Sequence, residues 1–207
     1  MFKRPDIAKW LTRNVENWKE NEKLKAARTS KIAKNLFESV GYMDAMNTPK
    51  NWSKLEGAHE ISTLPVVKIA VSMSIDGFNP FPGSKRSIWP VLFAVLNLPE
   101  SIRMKYQMLI LNAIMPGPNK PEDIQPYMHV VVDELEILYR EGIKVIDASD
   151  GNKEKIVRVK LLYTVADGPA QCSLTNMQGV PSAYPCTKCE MKVCITAFIY
   201  WHPIVSL

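Results

Sequence analysis

The spacing of apolar residues in the middle of the chain changes in a fixed order, and this order constrains the fold more than any other feature. From Val67 to Ile75, apolar residues alternate with small or polar ones, which predicts a strand with one apolar face. Two largely apolar runs follow, over 88–98 and 104–115, and are predicted to be further strands. Pro90 limits the second strand to beginning near its own position or bulging there.

The region that follows predicts a helix and then a pair of strands. Apolar residues spaced three and four apart from Ile124 to Leu138 are typical of an amphipathic helix, and Gly142 stands where a helix-ending glycine belongs. The runs 143–147 and 155–166 flank an Asp-Gly turn, which favours a hairpin. In the second run, five alternating residues are predicted to share one face: Val157, Val159, Leu161, Tyr163 and Val165.

A basic segment precedes the predicted sheet. Apolar residues recur at helical spacing over 6–40, and residues 1–35 hold ten Lys and Arg against four Asp and Glu. The whole positive excess of a chain with net charge +5 therefore lies in this segment, which suits a polyanion partner. A solvated, lysine-rich helix face explains the same pattern at least as well. Residues 41–64 carry turn-forming residues without periodicity and are interpreted as a linker.

Two aspartates stand at predicted strand ends: Asp76 after the first strand and Asp167 after the last. If these strands are parallel neighbours, the two carboxylates converge and suit Mg²⁺ or Mn²⁺, which prefer oxygen ligands. A two-metal site of that kind supports phosphodiester cleavage or transfer. A β-β-β-α-β order with such acids is the RNase H-like arrangement of nucleases, integrases and transposases. An aspartate before glycine is also a common turn residue, so a purely structural role stays open.

The four cysteines all lie within the last 36 residues, at 172, 186, 189 and 194. This clustering favours a reduced compartment and a metal site over a disulfide framework. Cys186 and Cys189 have the spacing of half a tetrahedral Zn²⁺ site. Cys194 and His202 are one way to complete it, and ligands beyond this sequence are the other. Cys172 is predicted to be a core thiol, and the single histidine of the predicted helix, at position 129, a surface residue.

Several stretches together resemble the transposase domain of CACTA-type (En/Spm-like) elements. They are SIDGFNPF (74–81), SIWPVLFAVLNLPESIR (87–103), MPGPNKP (115–121), VVVDELEILYREGI (130–143), DGPAQCSL (167–174) and CTKC (186–189). A weaker likeness covers FKRPDIAKWL (2–11). The joining of DGFNPF to a WP and NLP block is specific to this family.

The resemblance implies an RNase H-like catalytic core of the DDE/D type. The aspartate of the family's DGFNPF motif falls on Asp76 and that of its D-x-P-A motif on Asp167; these imply the first and second metal-binding acids, for Mg²⁺ or Mn²⁺. The family's C-x-x-C pair falls on Cys186 and Cys189, with Zn²⁺ as its implied ligand. The family's third acid belongs downstream of that pair, but the segment 193–207 contains no acid and is largely apolar. We therefore expect a core that is incomplete at its C-terminus.

The expected organisation is a basic helical segment and linker over 1–64, a partial transposase core over 65–192 and an anomalous apolar tail over 193–207. The implied function is metal-dependent DNA cleavage and strand transfer at transposon ends, in the nucleus, with self-association an open question. We expect no membrane segment and no small-molecule substrate. Because the third acid is missing, the alternative is a non-catalytic DNA- or protein-binding module derived from a transposase.

Overall fold

The computed structural model of the protein is a mixed α/β fold with one five-stranded sheet. It describes residues 1–12, 46, 64–81, 83, 87–117, 121, 123–179 and 182–184. The strands are β1 (Val66–Ile75), β2 (Ile88–Val95), β3 (Ile110–Pro116), β4 (Ile143–Asp147) and β5 (Lys153–Val165). The helices are α1 (residues 5–12), α2 (Glu100–Arg103), α3 (Gln125–Arg140) and α4 (Gly168–Thr175).

The strand order across the sheet is β3-β2-β1-β5-β4. β1 is antiparallel to β2 and parallel to β5. The outer strands β3 and β4 are each antiparallel to their neighbour. The first and last strands of the described residues are therefore parallel neighbours, which is the condition that any convergence of Asp76 and Asp167 requires.

The central strand β1 is buried on both faces. One face is the predicted apolar set from Val67 to Ile75, which packs in the main core with residues of α1 and α3. On the other face, Ala70 packs with Met46 and Leu96 in a second cluster. The prediction of a single apolar face is therefore incomplete, because small side chains on the second face leave room for larger neighbours.

The NLPESIR stretch (97–103) stabilises the backbone that follows β2. Leu96 donates its backbone N–H to the carbonyl of Ala70 at 2.9 Å. The Ala70 N–H is in turn bound by Oδ1 of Asn97 at 2.7 Å, and Asn97 is only 1% exposed. The Arg103 guanidinium donates from Nη2 and Nε to the carbonyl of Leu98 at 2.8 and 3.0 Å. These motif residues therefore hold the backbone of the sheet.

The helix and hairpin predictions are confirmed. Met128 and Val131 of α3 are buried, and Gly142 follows the helix at a φ of +80° that favours glycine. Strands β4 and β5 form the predicted hairpin. The third strand begins at Ile110, since 104–109 forms a turn before it. No helix in the described part of the chain is long and apolar enough to span a membrane.

Candidate active site

A β-bulge interrupts the pairing of β1 with β5. Val71 pairs with Leu161, but Ser72, the next residue of β1, pairs with Tyr163. Leu162 is therefore an extra residue in β5. Because side chains alternate along a strand, the bulge places Tyr163 and Val165 on the face opposite Leu161, and Thr164 on the same face as Leu161. The prediction of one shared face from residue 157 to 165 is wrong beyond the bulge.

The same extra residue sets the register of the two aspartates. Before the bulge, paired residues are 90 positions apart, as 71 and 161 are; beyond it they are 91 apart, as Ser74 and Val165 are. Asp76 and Asp167 are also 91 apart, and each stands two residues after this last pair. Both are exposed. The two aspartates thus stand at equal offsets beyond the last pair of the β1–β5 ladder.

The backbone at Asp76 leaves the ladder because of the residue opposite it. The β1–β2 ladder reaches Ile75, and a single bridge between Phe78 and Ile88 follows, with both N–H···O bonds at 3.0 Å. In the same register, Asp76 is opposite Pro90. Proline has no N–H and cannot donate to the Asp76 carbonyl. The sequence prediction that Pro90 limits β2 to beginning near its own position is confirmed, since β2 begins at Ile88. β1 ends at Ile75, one residue before the position opposite Pro90.

Gly77 is held beneath the indole of Trp89. A methyl group at Gly77 would lie 2.6 Å from Cζ2 and 2.8 Å from Nε1 of the Trp89 side chain, so only glycine fits without displacement. Beyond Gly77, Oδ1 of Asn79 accepts a hydrogen bond from the Phe81 N–H at 3.1 Å. The DGFNPF and WP motifs are therefore in direct contact, and this contact fixes the backbone immediately after Asp76.

Asp167 begins α4 as its N-cap. Its Oδ1 accepts a hydrogen bond from the Ala170 N–H at 2.7 Å, and a proline lies in the first turn. As local structure, Asp167 was predicted only as a strand-end or turn residue, and the helix that follows it was not predicted. An aspartate followed by proline within the first turn is nevertheless a known helix-start signal and could have found it. The bond uses one of the two carboxylate oxygens.

The two carboxylates are chemically suited to a hard cation that keeps most of its water. Within the described residues, the Asp76 carboxylate takes part in no hydrogen bond or ion pair. The same residues contain no group of three or more His, Cys, Asp or Glu side chains that could hold a metal. Mg²⁺ is commonly bound by one or two carboxylates together with water and substrate phosphates. Two carboxylates at the ends of neighbouring strands offer the kind of oxygen ligand that such an ion takes.

The other predicted ligands are placed as follows. Cys186, Cys189, Cys194 and His202 lie outside the described residues, so the Zn²⁺ prediction stays a prediction. Cys172 is half-buried in α4 rather than a fully buried core thiol. The prediction that His129 is a surface residue is confirmed, since it is exposed on α3.

Comparison with known proteins identifies the family. A family model described as "Transposase family tnp2" matches residues 41–204. The match includes both aspartates, the C-x-x-C pair and most of the segment 193–207. Neither the curated proteins nor the solved structures gave a match. Because the family model covers well over half of the chain, the protein belongs to the transposase family tnp2.

Proposed function

We propose that the chain carries part of an RNase H-like, CACTA-type transposase core, namely its β-sheet and its first two metal-binding acids. In this proposal Asp76 and Asp167 bind Mg²⁺ or Mn²⁺ and act in the cleavage and strand transfer of DNA. Nuclear localisation and recognition of transposon ends belong to the same proposal. The family match supports DNA as the partner, since a transposase acts on DNA.

The single observation that carries the proposal is the register of β1 and β5. Two strands that are distant in the chain are parallel neighbours, and the bulge at Leu162 gives Asp167 the same offset as the last strand pairs. An aspartate that served only its own turn would not require a matching position on another strand. The agreement between the two strand ends therefore favours a shared ligand over two independent turns.

The chemistry of the proposed site rests on carboxylate oxygens at an open edge of the sheet. Divalent ions bound there supply an activated attacking oxygen and offset charge on the leaving oxygen of a phosphodiester. Asp76 would act from a backbone fixed by Gly77 and Trp89. Asp167 would act while its Oδ1 holds the first turn of α4. The backbone beside Asp76 and the carboxylate of Asp167 would therefore be held in place before any ion binds.

The test is site-specific Mn²⁺ binding by the full chain, measured as paramagnetic broadening of backbone amide signals. In the wild-type protein, the amides of residues 76–77 and 167–168 should broaden at lower Mn²⁺ concentration than amides elsewhere. Asp76→Asn and Asp167→Asn should each remove this broadening. Asp133→Asn, which neutralises an exposed acid on α3, should leave it unchanged.

Nicking of supercoiled DNA in Mn²⁺ separates the two candidate functions. Nicking that is lost in Asp76→Asn supports the catalytic proposal. Mn²⁺ binding without nicking supports the alternative, a non-catalytic DNA- or protein-binding module. Broadening that persists in both asparagine variants would remove Asp76 and Asp167 from the site altogether.

A further inference from the structure

A cleft with aromatic, apolar and cationic walls lies at the end of the sheet away from the two aspartates. We call it the Trp10 cleft. It has a volume of about 310 Å³, and its lining residues are Arg4, Asp6, Ile7, Trp10, Ile102, Lys105, Gln107 and Met108. α2 follows β2, which runs antiparallel to β1, so this wall stands near the start of β1. At the rise of a β-strand, the length of β1 separates the cleft from the aspartates by roughly 30 Å.

The Trp10 side chain is 45% exposed, although its neighbours on α1 are in the core. Ile7 and Leu11 are buried, whereas Trp10, which lies beside Ile7 on the helix because it is three residues further on, lines the cleft together with Ile7. Ile7 and Met108 give the cleft an apolar floor. Tyr106, adjacent to the lining, is 83% exposed. An exposed indole beside an apolar floor suits a flat aromatic ligand.

The polar groups of the cleft fit the remaining parts of a nucleotide. Arg4 Nη2 and Asp6 Oδ2 are paired at 2.7 Å, which leaves Lys105 as the cation on the opposite wall. Asp6 and Gln107 offer oxygen acceptors to the N–H groups of a base. Lys9 on α1 and Lys3 just before α1 add positive charge to the segment that carries Trp10, within the basic residues 1–35. A base ring, its N–H donors and a phosphate can therefore each meet a suitable group.

We propose that the Trp10 cleft binds one nucleotide of single-stranded DNA, with the base stacked on the Trp10 indole and the phosphate at Lys105. This rests on the proposed function only in taking DNA as the partner, and it assigns that partner to a second site. A duplex keeps its bases stacked on one another, so the exposed indole favours a single strand. The cleft would then hold a DNA strand while the aspartates act roughly 30 Å away.

The test is fluorescence anisotropy of a labelled oligothymidylate of about twelve nucleotides, with the full chain. Trp10→Ala should weaken binding at least about fivefold, and Trp10→Phe should restore part of it, because stacking on one base carries that much affinity. Lys105→Ala should reduce the slope of log K against log salt by about 0.7. The matched controls are Tyr127→Ala, an exposed aromatic on α3, and Lys144→Ala, an exposed lysine on β4.

Three outcomes would overturn the proposal: equal affinity of Trp10→Ala and wild type, tighter binding of the same sequence as a duplex, or equal loss in the Tyr127 control. Competition by dTMP distinguishes a mononucleotide site from a strand site, since a strand site requires the oligomer to compete far better. If Trp10→Ala fails to fold, as judged by circular dichroism, Trp10→Phe and Lys105→Ala carry the test. Mn²⁺ broadening at residues 76–77 should be unchanged in each variant. The two measurements therefore distinguish failure of the Trp10 cleft proposal from failure of the proposed metal site.

Discussion

The two ends of the sheet use strand-end aspartates in opposite ways. Asp147, the last residue of β4, is fully buried, and its Oδ2 accepts a hydrogen bond from Lys155 Nζ at 2.7 Å. Its Oδ1 accepts from the Oγ and N–H of Ser149 at 2.6 and 2.9 Å. At the other end, Asp76 and Asp167 are exposed. One carboxylate is therefore fully used by the fold, whereas the pair remains open to a ligand.

The role of a strand-end aspartate is therefore defined by the groups that surround it and not by the residue type alone. A buried carboxylate is tolerated only when it is paired and hydrogen-bonded, and Lys155 and Ser149 meet that requirement. The exposed pair needs no such compensation, because water solvates it. Substitution should therefore cost stability at one end and ligand binding at the other.

The largest expected effect is that of Asp147→Ala. It leaves the Lys155 ammonium, whose side chain is 11% exposed, without its buried partner, and should lower the free energy of unfolding by about 3–5 kcal/mol. Urea denaturation followed by circular dichroism measures the change. Asp150→Ala removes the outer partner of Lys155 at 3.0 Å and should cost no more than about 1 kcal/mol. Equal losses in the two variants would contradict the buried-pair interpretation.

The same pair predicts how stability depends on pH. Burial raises the pKa of the Asp147 carboxyl, but hydrogen bonds from Lys155 and Ser149 outweigh it and hold the pKa below its ordinary value. Asp147 therefore adds stability above the unfolded pKa of about 3.9, and that stability is lost as pH falls through the folded value. Burial lowers the pKa of Lys155, yet the bonds to its two carboxylate partners raise it overall, so its contribution is lost only as pH rises above about 10.4.

Denaturation midpoints measured between neutral pH and pH 2 check the acid side of this prediction. The wild-type midpoint should fall more steeply below about pH 4 than that of Asp147→Ala, since the variant has already lost the titrating group. Parallel acid limbs in the two proteins would show that other carboxylates control the transition.

A smaller loss is expected for Gly77→Ala, which tests whether the open end of the sheet also depends on its packing. The added methyl group meets the Trp89 ring and should cost about 1–3 kcal/mol. Gly168→Ala is the matched control, because nothing lies within 4 Å of its added methyl group. Gly77→Ala should also weaken Mn²⁺ binding, which Asp147→Ala should leave unchanged. If Gly77→Ala binds Mn²⁺ with wild-type affinity, Trp89 does not position Asp76.

The sequence predicted those features that depend on periodicity. The alternation in β1, the spacing of α3 and the Asp-Gly hairpin each follow from local patterns, and Asp76 and Asp167 were recognisable as strand-end acids. The bulge was not predictable, because Leu162 is as apolar as its neighbours and only the pairing with β1 makes it the extra residue. The close approach of Trp89 to Gly77 likewise depends on a strand pairing that the local sequence does not contain.

The structural role of Asp147 was not predictable from the sequence for the same reason. In the sequence, Asp147 is simply the last residue of a short apolar run, and its partner Lys155 lies eight positions later among other lysines. Burial selects this lysine, and burial is set by packing against the N-terminal segment, where Ala148 donates its N–H to the Phe2 carbonyl at 3.2 Å. Tertiary contact therefore separates the structural aspartate from the two exposed ones.

The smallest expected effect separates structure from ligand binding within a single residue. Asp167 caps α4, so Asp167→Ala should cost about 1 kcal/mol, whereas Asp167→Asn keeps the cap acceptor and should change stability by only a few tenths. Both variants remove the negative charge and should lose Mn²⁺ broadening equally. Thermal denaturation and Mn²⁺ titration on the two proteins give the comparison. If Asp167→Asn preserves Mn²⁺ binding as well as stability, Asp167 acts only as a helix cap. Asp76 is then the one remaining candidate ligand among Asp76, Asp147 and Asp167.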